Sequence, residues 1–126
     1  VVCLGAITGQ APSDVSVASG GSWVELTHFS IPSGIWIVTF AASFPNNSSG
    51  YRAITLGIST ATAGTVVRTL KTAPANGTNT VLALTAPVEG GSTYYLNAAQ
   101  TSGSTLSVAP RYTMLKIADA IYTTTP

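Results

Sequence analysis

A chain of 126 residues carries one domain, and by the scaling of surface with mass it should bury roughly two-thirds of what its extended form exposes. Charged residues make up 7% of it, against about 25% in a typical soluble domain, and Arg52, Arg68, Lys71, Arg111 and Lys116 are scattered among Asp14, Glu25, Glu89 and Asp119, which excludes a phosphate-tracking stripe and with it a nucleic-acid partner. No apolar run approaches the ~18 residues of a membrane span, the opening VVCLGAITGQ lacks the basic flank of a leader, and Cys3, the single cysteine, excludes an internal disulfide or a cysteine-based metal site within one chain.

In chain order, two-residue alternation, β-branched and aromatic enrichment and Gly/Pro/Asn/Ser punctuation recur at intervals of about 10 residues. The first predicted strands cover residues 1–8 and 14–18, split by GQAPS. Cys3 reads as a small buried residue near the start of the first strand. Residues 23–31 form the next, with Trp23, Glu25, Thr27 and Phe29 on one face and Val24, Leu26 and His28 on the other. IPSG at 31–34 combines Pro and Gly in a tight connection that reads as a hairpin into residues 35–44. That segment is apolar at nearly every position, as expected of a central strand covered by a second sheet on one side and by a neighbouring subunit on the other. Trp36 within it is expected in the core.

PNNSSG at 45–50 is a loop by composition, and YRAITLGIS after it is a strand with one core face. TATAG, TVVRTLK, TAPANGTN and TVLALTAPV follow as loop, strand, loop and strand, with Asn76, Gly77 and Thr78 on turn duty. EGGS is a turn. Residues 93–100 and 105–109 flank TSGS as a predicted hairpin, and residues 111–118 complete nine or ten short strands. The expectation is an all-β antiparallel sandwich over residues 1–120, with 121–126 an extended tail. A chain this apolar and this poor in charge is also expected to associate with copies of itself.

No catalytic set can be filled from one histidine, one cysteine and four spaced carboxylates, and no G-x-S-x-G elbow is present. His28 reads as a surface or interface histidine, and neither a cofactor nor a metal site is expected. Binding chemistry is better supplied. Saccharides are gripped by aromatic faces and by planar amide, carboxylate or guanidinium groups, and the candidates are Asn46, Asn47, Tyr51 and Arg52, joined by Tyr95, Asn97 and Gln100, with Trp23 outside the main group. Asn46 and Asn47 also begin overlapping N-x-S patterns, which matter only in a glycosylating secretory pathway.

The segment IPSGIWIVTFAASFPNNSSGYRAITLGIS, then LNAAQTSGSTLSV, then YTMLKI, resembles the receptor-binding head domains of bacteriophage tail fibres and baseplates, from about Val15 to Ile117. Such heads resemble the jelly rolls of tumour necrosis factor and the complement globular heads. The resemblance implies a homotrimer at the virion tail tip, outside the cell, with inner sheets about a threefold axis and outer loops or clefts turned to a host saccharide, teichoic acid or other envelope polymer. It transfers no site residues. Two other functions fit the same residues: a structural trimerisation or decoration module of a fibre or capsid, and a non-viral carbohydrate-binding adhesin domain.

Overall fold

The computed structural model describes residues 6–10, 13–47, 49–58, 66–72 and 79–119, with the backbone alone for 6–10 and 66–72. Expectations for Cys3, TATAG, Asn76 to Thr78, the boundary at residue 120 and the tail lie outside the described residues. Nine strands run through them: β1 (Ala6–Gln10), β2 (Val15–Val17), β3 (Val24–Ser30), β4 (Ile35–Phe44), β5 (Arg52–Gly57), β6 (Val66–Thr72), β7 (Thr80–Glu89), β8 (Thr93–Gln100) and β9 (Leu106–Ala118). A first sheet has the order β1-β9-β4-β7, with β2 also paired to β9, and a second has the order β3-β8-β5-β6. All strand pairings are antiparallel.

The sandwich follows from period-2 burial. On β7, Thr80, Leu82, Leu84, Ala86 and Val88 are buried while the residues between them are exposed. From β4, Trp36, Val38, Phe40, Ala42 and Phe44 point the same way, and they meet Ile54, Leu56, Tyr94, Leu96 and Ala98 of the second sheet. Phe29 and Tyr112 stack across the gap with ring centroids 4.7 Å apart. Fully burying a side chain such as Phe40 or Phe44 is worth about 1.5–3 kcal/mol. This apolar layer is what holds the two sheets together.

Two expected hairpins are crossings instead. Residues 31–34 carry the chain from β3 in the second sheet to β4 in the first, and residues 101–105 carry it from β8 to β9. Loop length permitted a hairpin, but Phe29 and Trp36 are both buried, and β4 pairs along its length with β7 and β9 rather than with β3. The 31–34 crossing runs beside the β7–β8 crossing. Ile31 N–H donates to Ser92 O (3.1 Å), Gly91 N–H to Ile31 O (2.8 Å) and Gly90 N–H to Gly34 O (2.7 Å). The Trp36 indole N–H donates to Pro32 O at 3.0 Å, and a Cβ at position 90 would overlap that same carbonyl, so the close approach requires glycine.

The break expected at Pro110 is absent, and β9 runs unbroken through it. On one side Pro110 pairs with Ala42 of β4. On the other, β2 reaches only Val108 and β1 starts at Arg111, so among the described residues no strand partner demands a ladder donor from Pro110 on that side.

At the opposite end the Gln100 side chain, fully buried, joins three segments. Its amide N–H groups donate to Val17 O (2.8 Å) and Ser104 O (2.6 Å), and its Oε1 accepts from Ser102 N–H (2.7 Å). Gln100→Met keeps the bulk but leaves these groups unpaired, at about 1–3 kcal/mol for a buried orphan. The expected outcome is a loss of roughly 3 kcal/mol in denaturant unfolding with an unchanged slope.

The buried Tyr94 hydroxyl donates to Glu89 O at 2.7 Å. Burial raises its pKa above the ordinary 10.0, with a further push from the Glu89 charge. The folded chain thus holds this proton more tightly than the unfolded chain, so the contribution to stability is intact below pH 10.0 and is lost as pH rises through the folded value. Unfolding curves from pH 8 to about 11 should show stability falling at the alkaline end, with a shallower fall in Tyr94→Phe.

Candidate functional site

The predicted binding residues separate into two places. Asn46, Asn47, Tyr51, Arg52 and Gln100 gather at one end of the sandwich, where the connections 18–23, 45–51 and 101–105 meet. Arg52 and Gln100 are register partners, Tyr51 N–H donates to Thr101 Oγ1 (3.0 Å) and Thr101 N–H to Tyr51 O (3.1 Å). Tyr95 and Asn97 lie instead on the outer face of the second sheet, opposite His28 and Glu25 of β3. Trp23, half-buried, immediately precedes β3.

At the loop end, much of the expected binding chemistry is turned inward. Arg52 is 0% exposed, and its guanidinium donates to Asn47 O (2.8 Å), Ser49 O (2.9 Å) and Tyr51 O (3.2 Å). Burial pulls its pKa below the usual arginine value. Its Nε is buried without a partner. The guanidinium therefore braces the loop rather than facing solvent.

Asn47 Oδ1 accepts from Ser49 N–H at 2.9 Å, a local turn bond typical of asparagine. Tyr51 covers Gly21, whose φ is +82° and where a Cβ would stand 2.8 Å from the phenol oxygen. Asn46 alone of this group is exposed, with Asn47 and Tyr51 half-buried.

The two outer faces of the sandwich differ in chemistry. On the second sheet, His28 and Tyr95 stand opposite each other with ring centroids 5.5 Å apart. His28 Nδ1 lies 3.3 Å from Glu25 Oε2, and Ser30 Oγ lies 3.3 Å from Thr93 Oγ1 in the next row. An aromatic face, an imidazole and a carboxylate thus share one accessible strip. Beside it Asn97 is only 1% exposed, and its Oδ1 is buried without a partner. Ala53, Thr55 and Ala99 on the same face are buried as well, so the open part of the strip is along β3 and the start of β8.

Strict alternation had set Glu25 and His28 on opposite faces. A β-bulge between Glu25 and Thr27 brings them together. The sequence does carry a signal for it: Leu26 and Phe29 both enter the core, and a spacing of three within one strand cannot place two side chains on one face without an extra residue.

The outer face of the first sheet is nearly neutral. Its registered rows are Pro87–Ile37–Leu115, Thr85–Thr39–Thr113, Ala83–Ala41–Arg111 and Val81–Ser43–Ala109. Val81, Leu115 and Ile117 are exposed there. Ala41, Ser43, Val81, Ala109 and Arg111 line an open depression of about 450 Å³. Among the described residues no three His, Cys, Asp or Glu side chains gather where they could hold a metal ion, and no helix is long and apolar enough to cross a membrane.

No protein-family model matches the chain, and no curated protein matches it in sequence. Solved structures do match in fold. A chain of the infectious bursal disease virus Gx strain superposes with a TM-score of 0.65 at 14% identity, covering 93% of this chain and 33% of that one. The Eiger TNF of S. frugiperda gives 0.63 at 12% identity, covering 96% and 97%, and the globular domain of a zebrafish complement 1qA protein gives 0.54 at 9%, covering 89% and 96%. The chain thus spans about a third of the viral chain and nearly the whole of the other two. At these identities the likeness establishes architecture: the chain is an all-β jelly-roll sandwich of the tumour necrosis factor and complement-head kind.

Proposed function

We propose that the chain is the receptor-binding head of a bacteriophage tail fibre or baseplate, a homotrimer that attaches to saccharide or another polymer of the host surface. The observation that carries this reading is the unlike chemistry of the two outer faces. Apart from Arg111, the rows of Ile, Leu, Pro, Thr, Ala, Val and Ser on the first sheet suit packing against copies of themselves, being apolar or hydroxyl-bearing and uncharged. The strip of Glu25, His28 and Tyr95 on the second sheet suits a sugar, with a ring to stack on and polar groups to pair with hydroxyls. Asn46 is exposed and Trp23 half-buried, and they extend the candidate surface. Three copies would turn three weak sites into firm attachment. Binding without catalysis fits the scarcity of acid–base groups.

Light scattering on the purified domain should give three times 12.8 kDa, and the trimer should adsorb to host cells and block infection. Tyr95→Ala and His28→Ala should each weaken adsorption about tenfold, equivalent to 1.4 kcal/mol, with the mass unchanged. A trimer that does not adsorb would identify an assembly module instead, and a monomer would sink the head-domain reading.

A further inference from the structure

The neutral face of the first sheet holds one conspicuous exception. Arg111 is exposed in the row Ala83–Ala41–Arg111–Gln10 and has no hydrogen-bond or ion-pair partner among the described residues. Lys116, on the same strand, is already paired with Asp119 at 2.9 Å. The carboxylates lie elsewhere. Glu89 is in register with Ile35, and from Ile35 to Ala41 is roughly 20 Å of strand. Asp14 lies beside Ser107 at 3.4 Å, about 13 Å along β9 from Arg111. Glu25 belongs to the second sheet.

In a trimer packed through this face, rotational symmetry constrains what Arg111 can meet. An axis running along the strands superposes each row on the same row of the next copy. The rows brought together then hold Ala83, Ala41, Arg111 and Gln10, and no carboxylate. Burying guanidinium groups without compensation is costly, and like charges brought together add to that cost.

We infer that the trimer binds a tetrahedral oxyanion in the space between its three Arg111 side chains, within the depression lined by Ala41, Ser43, Val81 and Ala109. The site rests on the trimeric reading and is incomplete in one copy. Planar guanidinium groups match the paired oxygens of such an ion, so sulfate or phosphate fits where chloride offers a single point of contact. The Ser43 hydroxyl supplies a further donor at the rim.

The test uses the purified domain in chloride and in sulfate at equal ionic strength, read by light scattering and thermal unfolding. In about 10 mM sulfate the concentration at which the trimer half-dissociates should fall about tenfold, and Tm should rise by about 3 °C or more. Arg111→Gln should remove the sulfate response while remaining trimeric in chloride, since it removes the repulsion together with the site. A trimer that behaves alike in sulfate and chloride, or a variant that keeps the sulfate response, overturns the anion site alone. A monomer in every condition overturns the trimer and the site with it.

Discussion

The Gln100 amide is the interaction on which one whole end of the sandwich depends. The chain passes from one sheet to the other at most of its connections, so it repeatedly turns corners where backbone groups leave a ladder before they reach water. Each corner must satisfy those groups locally. At one end Gln100 does so by spanning Val17, Ser102 and Ser104. At the other, Trp36 and Tyr94 reach back to Pro32 and Glu89. Neutral side chains suit this task, because burying them carries none of the desolvation cost of a charge.

Arg52 shows what happens when a charge is used. Three carbonyls surround the guanidinium and no carboxylate does, so the ion is solvated by backbone dipoles rather than neutralised. That arrangement fixes the path of the chain from Asn47 into β5, because the three carbonyls must converge on one planar group. It also explains why residue types that suggest sugar binding are interior here. The planar amide and guanidinium groups able to grip vicinal hydroxyls are equally able to grip a turn's backbone, and Arg52 and Gln100 do the latter.

The period of the sequence carried most of the strands and little of their pairing. Residues 35–44 and 93–100 are strands to the residue, and β7 alternates without a flaw, because each has a core face that period 2 reveals directly. Partner choice is a different matter. A four-residue connection with Pro and Gly closes a hairpin or turns a corner between sheets equally well, and the decision rests on distant residues: β7 and β9 flank β4, and β5 flanks β8. The strip of Glu25, His28 and Tyr95 escaped for a related reason. A single inserted residue reverses which faces its neighbours occupy, and alternation counted through Leu26 gives the wrong answer for every residue before it.

Scarcity of charge shapes both outer faces through entropy as well as electrostatics. Immobilising a Lys or Glu side chain costs about 1.5–2 kcal/mol of rotamer freedom, whereas Ala and Pro cost almost nothing. The rows across β7, β4 and β9 are built mainly from Ala, Pro, Thr, Ser and Val, so another surface could be packed against them with little loss of side-chain freedom. On the second sheet the same economy takes another form. His28 lies against the Glu25 carboxylate and the Tyr95 ring, contacts that narrow the rotamers open to it. Side chains with few open rotamers lose less freedom when another surface covers them, so on both faces the cost of ordering a contact is kept low.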